Sequence, residues 1–353
     1  MSSYNSFLKR NHNFQFKRVA YLSGAPRVST RPEAEATGPR SHVIGVMQAF
    51  ERLGWEVNPY IVGDLVPLGW IKSGSEQQVR KNTCRRLAAD ILRILMNFWN
   101  SRQAWRKLGQ ADWVYERFGA FQSLGRIFQK RRALWILETN APLYKEAVGE
   151  RQTILLKSIV CKFEREAYRK CDVLVCISEV LRDVLVEDLG LDSKKIVVMP
   201  NAVDASRFSP KNLPSEKGPL TLGWVGSIWN WAGLHLLIQA IKKLSDQGLG
   251  IRAKLIGDGP EKENLQRLAY GLGLKKQIEF IGRIPWDEVS KHLDEVDLCF
   301  SGQIPIKCVG KMYLSPLKLY EYMAMARPVI ASSFEDARRI VIEEQTGFVK
   351  IHI

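Results

Sequence analysis

No stretch of the 353 residues holds the roughly 18 consecutive apolar side chains that would suggest a membrane-spanning helix. Cysteine is sparse: Cys84, Cys161, Cys171, Cys176, Cys299 and Cys308 include no C-x-x-C pair, and each lies in or near an apolar run. Free thiols in a reducing compartment are therefore expected rather than a disulfide framework or a zinc site. The five histidines are scattered, so no metal cluster is expected. Acid is in deficit, 37 Asp and Glu against 52 Lys and Arg, a formal charge of +15. Such a surface favours anionic partners, whether nucleic acid, anionic lipid or phosphorylated substrates. Residues 1–17 are polar, lack the apolar core of a secretory signal and read as a flexible N-terminus, so a cytoplasmic location is expected.

The common nucleotide fingerprints are missing too. No G-x-x-x-x-G-K-[ST] occurs, and the "GDG" at Gly257–Gly259 is followed by Pro260 and Glu261 without a third glycine. No D-x-D occurs, so the acidic metal clamp of a nucleotide-sugar site is absent, and neither metal nor cofactor is expected.

What is present is alternation. Short apolar runs rich in Val, Ile and Leu ("RVAYLSG" at 18–24, "WEVNPYIV", "DWVYE", "LWILE", "DVLVCIS", "KIVVMP") alternate with longer helical patterns. After the Pro- and Lys-rich stretch 209–219 the series restarts with "LTLGWVG", then "RAKLIGDG", "QIEFIGR", "VDLCFSG" and "RPVIASS". Strands apolar nearly throughout are buried on both faces of a parallel sheet. Strand–helix alternation builds right-handed βαβ units and doubly wound α/β sheets. The length suits two domains. The reading is two Rossmann-like domains, 18–208 and 220–353, joined by the linker 209–219 and facing across a cleft.

Residues 72–107 depart from this pattern. Lys72, Arg80, Lys81, Arg85, Arg86, Arg93, Arg102, Arg106 and Lys107 stand against only Glu76 and Asp90, while Leu87, Ile91, Ile94, Leu95 and Phe98 recur at helical spacing. Two readings stay open: a helix held on an anionic membrane surface, or a core-packing helix with a solvated basic back. A nucleic-acid partner is not expected, because the aromatic residues sit in apolar runs rather than in a basic groove.

The stretch "SPLKLYEYMAMARPVIAS" (315–332) reads as a helix followed by a strand. Ser315 suits the N-cap and Pro316 the first helical position. The N–H groups of Leu317 and Lys318 would then point outward with the positive helix end, a place for phosphate. Lys318 adds a cation, and Glu321, one turn on, can accept two hydroxyl protons from a ribose. An ordinary capped helix with a surface Lys–Glu pair would show the same residues.

This segment resembles the nucleotide-binding segment of family 4 retaining glycosyltransferases, which have the GT-B fold. The resemblance extends through "VYERFGAF", "LETNAPLYKE", "CISEVLRDVL", "VVMPNAVDASRF", "LGWVGSIWNWAGLHLLIQA", "LIGDGPEKENLQ" and "EFIGRIP", in order along nearly the whole chain. It implies a nucleotide-sugar donor on the second domain and a glycan or lipid-linked acceptor on the first. It also implies metal-independent transfer with retention and a role in polysaccharide biosynthesis. The donor site would use Gly226, Ser227, Ser315, Pro316, Leu317, Lys318 and Glu321.

The chain departs from the family at several points. Ser227 and Ala232 stand where many members carry Arg and Lys on the diphosphate, which leaves Lys318 as the main phosphate cation. Tyr313 replaces the first glutamate of the E-x7-E motif, whose second is Glu321. Glu138, followed by Asn140, stands where many members have a catalytic-site His, so these two are expected to contact the reacting sugar. Pairing of Glu138 with a first-domain arginine such as Arg117 is the alternative. Members usually continue through further helices after "TGF", so the C-terminal helices are expected to be missing. A non-catalytic remnant that binds nucleotide, or a GT-B sugar-nucleotide epimerase, remain as alternatives.

Overall fold

The computed structural model describes residues 18–35, 37–71, 82–149, 151–211 and 218–351. The expectations for the flexible N-terminus, for Lys72 to Lys81 and for most of the linker fall outside these residues. The chain forms two compact units, one of residues 1–34 and 42–199, the other of 35–41 and 200–353.

The first unit holds a six-stranded sheet. In chain order its strands are β1 (Arg18–Ser23), β2 (Glu56–Ile61), β3 (Trp113–Arg117), β4 (Leu134–Thr139), β5 (Val173–Cys176) and β6 (Ile196–Val198). They lie side by side as β2-β1-β3-β4-β5-β6, with all pairings parallel. The helices that bear on function here are α1 (Gly38–Arg52), α2 (Thr83–Leu108), α3 (Leu143–Gly149), α4 (Lys157–Lys170) and α5 (Glu179–Leu189). β1 is buried at every position after Arg18, as a strand covered on both faces must be. Val19, Tyr21, Val43, Ile61 and Tyr115 form the core between α1 and the sheet.

Local signals set the helix ends. Asn82 caps α2 by accepting from the N–H of Cys84 at 2.8 Å and of Arg85 at 3.2 Å. Ser178 caps α5 by accepting from Leu181 N at 3.0 Å, and Gly190 ends it in the left-handed region at φ 60°.

The second unit repeats the plan with β7 (Leu220–Val225), β8 (Ile251–Ile256), β9 (Ile278–Gly282), β10 (Leu298–Ser301), β11 (Val329–Ser332) and β12 (Gly347–Ile351). Their order is β12-β11-β10-β7-β8-β9, again parallel. Its helices include α6 (Leu234–Asp246), α7 (Lys262–Gly271), α8 (Val289–Asp294), α9 (Leu317–Ala324) and α10 (Glu335–Ile340). One face is packed by α6 and α7 through Leu237, Ile238, Ile241 and Leu265 onto Trp224 and Leu255. The other is packed by α8 to α10 through Leu293, Leu319, Tyr322 and Ala337. β12 was not expected: "GFVKI" follows a turn with little apolar pattern, and it is pairing with β11 that makes it a strand.

The doubly wound α/β reading is thus met by two six-stranded parallel sheets, with β12 added to the strands expected. Both strand orders reverse once, between β1 and β3 and between β7 and β10. In doubly wound sheets the crevice outside the carboxyl ends of the strands at such a reversal is where ligands bind. None of the six cysteines forms a disulfide, and Cys84 is exposed.

Candidate functional site

The second unit's reversal point is built from the carboxyl ends of β7 and β10. β7 leads into Gly226 and Ser227. Gly226 has φ 147°, and its carbonyl lies 1.8 Å from where a Cβ on Gly257 (φ 137°) would stand, so the loops after β7 and β8 meet backbone to backbone. Gly233 (φ 70°) packs in the same way on the Gly302 carbonyl beyond β10, where a Cβ would sit 1.8 Å away. Between them Trp229 and Trp231 stack with ring centroids 4.8 Å apart and planes 10° from parallel.

Helix α9 approaches this point, tied to the end of β7 by the Tyr322 hydroxyl, which accepts from Val225 N at 2.9 Å. No side chain caps its first turn. The N-cap residue is Pro316, at φ −76° and ψ 121°, so the helix starts at Leu317, one residue later than expected. Ser315 is therefore not the N-cap. Its hydroxyl donates to Asp336 and accepts from Asn201 N at 2.9 Å, a use that fixes the loop before the helix rather than the helix itself. The uncapped N-terminus still presents its N–H groups and the positive helix end.

Lys318 lies in this first turn. Its Nζ sits 4.0 Å from the centroid of the Trp224 ring and 2.8 Å from the place a Cβ on Gly226 would take. The ammonium is thus packed against the carboxyl end of β7, and a Cβ at 226 would push it aside. Burial lowers the Lys318 pKa to about 7, and the carboxylate of Glu321 works against that. Glu321 is itself buried. Of the expected donor residues, Gly226, Leu317, Lys318 and Glu321 come together here. Ser227 is exposed in the same loop. Ala232 and Tyr313, in place of the family's Lys and Glu, are both buried, at 1% exposure.

In the first unit Glu138, next to last in β4, is at register with Arg117 on β3. Its carboxylate is fully engaged. It accepts from His42 Nε2 at 2.6 Å, Asn140 Nδ2 at 2.6 Å and the Tyr115 hydroxyl at 2.8 Å, with Arg117 at 3.8 Å. Burial alone would raise its pKa. The charge and hydrogen bond of His42, then Arg117 and Tyr115, outweigh burial and hold the carboxylate at about 2. The expected arginine partner is present, but His42 is closer. His42 was missed by sequence reasoning, although it lies in the first turns of the helix that follows the first strand, a place that points toward a sheet's carboxyl edge. Asn140 lends its amide to Glu138, while its Oδ1 is buried without a hydrogen-bond partner among the described residues. Nearby at the same edge, burial together with Arg151 and Arg93 lowers the pKa of Arg27, in the loop after β1, to about 9.

Among the described residues no three His, Cys, Asp or Glu side chains are grouped so as to hold a metal ion.

Each unit matches a family model: Glycosyltransferase Family 4 over residues 37–207, and Glycosyl transferases group 1 over residues 219–351. The chain is 28% identical over 185 residues to the putative colanic acid biosynthesis glycosyltransferase WcaL of Escherichia coli, covering 52% of this chain and 45% of WcaL. It is 29% identical over 151 residues to the 2-deoxystreptamine glucosyltransferase of Streptomyces kanamyceticus, covering 40% of this chain and 39% of that one. The chain thus matches less than half the length of these relatives. Sucrose-phosphate synthase of Thermosynechococcus elongatus shares the fold with a TM-score of 0.67 at 16% identity, covering 94% of this chain and 85% of that one. Anabaena HepE in complex with UDP and glucose does so with a TM-score of 0.59 at 16% identity, covering 95% and 86%. Both units are built as those of GT-B glycosyltransferases.

Proposed function

We propose that this chain, with the GT-B fold and a glycosyltransferase model on each unit, is a retaining glycosyltransferase acting in polysaccharide biosynthesis. It moves a sugar from a nucleoside-diphosphate sugar to a glycan or lipid-linked acceptor. The carrying observation is Lys318, packed beside Gly226 at the strand-order reversal in the first turn of an uncapped helix. A diphosphate there meets both the positive helix end and an ammonium. Glu321, one turn on, takes the ribose hydroxyls. The UDP held by HepE and the polysaccharide context of WcaL support this reading of donor and pathway.

In the reaction the bond from the anomeric carbon to the β-phosphate oxygen breaks. The acceptor oxygen bonds on the same face, and its proton passes to a leaving-phosphate oxygen. The helix end and Lys318 stabilise the charge that develops on the leaving group, so the step needs no metal. Glu138, kept ionised by His42 and Arg117, and Asn140, with its free Oδ1, contact the sugar at the acceptor side. Arg27, with Arg93 and Arg151 near it, supports an acceptor carried on a phosphate, and with it work at the cytoplasmic face of a membrane.

Calorimetry with UDP, GDP and ADP tests the donor site. Glu321→Ala should weaken the best of them by about 1–3 kcal/mol, the scale of hydrogen bonds to a charged group. Unchanged affinity in both Glu321→Ala and Lys318→Met overturns the site. Incubation with a panel of nucleotide sugars and acceptors, with anomeric configuration read by NMR, tests retention.

A further inference from the structure

Helix α2 is inside out. The side chains it buries in the first unit are Asp90, Asn97, Asn100 and Ala104, three of them polar. Each polar one has work to do there. Asp90 accepts from the N–H of Leu155 at 2.8 Å and Leu156 at 3.0 Å, and from Arg93 at 2.7 Å. Asn97 Oδ1 accepts from Ser123 N at 2.7 Å, and Asn100 donates to Gln122 at 3.1 Å. The opposite face carries Leu87, Ile91, Leu92, Leu95, Phe98 and Trp99, exposed by 38, 48, 52, 61, 63 and 59%. These residues recur at three- and four-residue spacing over about 18 Å of helix at 1.5 Å per residue. An apolar patch of this kind marks an interaction surface.

Charge selects the occupant. The helix's one acidic residue, Asp90, is buried, so its outward charges (Arg85, Arg102, Arg106 and Lys107) are all positive and flank the stripe at both ends. A second copy docked on this stripe, parallel or antiparallel, would set arginines against arginines with no α2 carboxylate between them. The preceding residues 72–81 contain Val79 as their one apolar side chain. We propose that α2 lies flat in the interface of an anionic bilayer, its stripe at the acyl boundary and its arginines among the headgroups. The helix's buried face holds Gln122, whose side chain abuts Gly24 at the carboxyl end of β1. Docking would therefore hold the carboxyl edge of β1 about one helix diameter, about 10–12 Å, from the lipid surface. The docking itself stands independently of the proposed reaction.

The experiment is co-sedimentation of the full chain with vesicles of phosphatidylcholine alone or mixed with phosphatidylglycerol, over a range of salt, together with analytical ultracentrifugation without lipid. The expected result is binding to the anionic vesicles only, weakening steeply with salt. The double variant Leu95→Glu, Phe98→Glu should lose it at least tenfold with an unchanged melting temperature. Three results would overturn the proposal: no vesicle binding by the parent chain, equal binding to neutral vesicles, or a parent-chain dimer that the double variant abolishes. A double variant with a lowered melting temperature would also overturn it, since the stripe would then be packed in the fold. Sugar transfer or nucleotide affinity measured on the same variants separates this outcome from failure of the functional reading, because neither residue lies in the candidate site.

Discussion

Helices α2 and α6 each carry an apolar stripe at helical spacing, and they use it in opposite ways. α6 turns Leu234, Leu237, Ile238 and Ile241 onto the sheet and leaves Lys242 and Asp246 outside as an i,i+4 pair. α2 turns Asp90, Asn97 and Asn100 inward and leaves its leucines and Phe98 in solvent. The difference lies in what each helix covers. Under α6 are the apolar side chains of β7 and β8. Under α2 are loops whose backbone N–H groups, those of Ser123, Leu155 and Leu156, need acceptors. A buried N–H without an acceptor costs more than an exposed leucine. A stripe thus identifies a helix, and the neighbour decides which face is buried.

The contrast can be broken at several points. Asp90→Ala should do the most damage, about 3–5 kcal/mol by chemical denaturation, because Arg93 loses its buried partner and two N–H groups lose their acceptor. A loss under about 1 kcal/mol would mean that the inward face of α2 is not structural. Ile238→Ala, the matching change in α6, should cost about 2–5 kcal/mol through the cavity it leaves.

Helix α9 offers a third case, since it is used at its end rather than on a face. Lys318 has its pKa lowered to about 7, and a bound diphosphate favours the charged form. Binding must then take up a proton above pH 7. Affinity for the diphosphate should be flat below about pH 7 and fall by up to about tenfold per unit above it. Lys318→Met should remove that slope, and a parent chain whose affinity is the same at pH 6.5 and 8.5 would show that the ammonium is not on the phosphate. At the small end, Leu95→Ala should change stability by less than about 0.5 kcal/mol, as expected of a side chain that is mostly exposed. A larger loss would erase the contrast between α2 and α6.

The architecture was legible because strands buried on both faces are apolar throughout, so β1 to β11 announce themselves one by one. β12 did not, because pairing with β11 rather than its own composition makes it a strand. The placing of Lys318 and Glu321 one turn apart at the start of a helix was legible because the helix supplies their spacing. The cap was misjudged because Pro316 adopts an extended ψ of 121°, which starts the helix one residue late and frees the Ser315 hydroxyl for Asp336. His42 was invisible because it stands 96 residues from Glu138, and only the adjacency of β1, β3 and β4 brings them to 2.6 Å.

The sequence by itself therefore determined the two α/β units and the helix and strand order, since each follows from local pattern. The tertiary structure alone decided three things: the charge partner that holds Glu138 near a pKa of 2, the depth at which Lys318 is set against Gly226, and the outward face of α2. These depend on which distant side chains and backbone groups need a partner. That is a matter of three-dimensional hydrogen-bond and charge satisfaction, which a one-dimensional period does not carry.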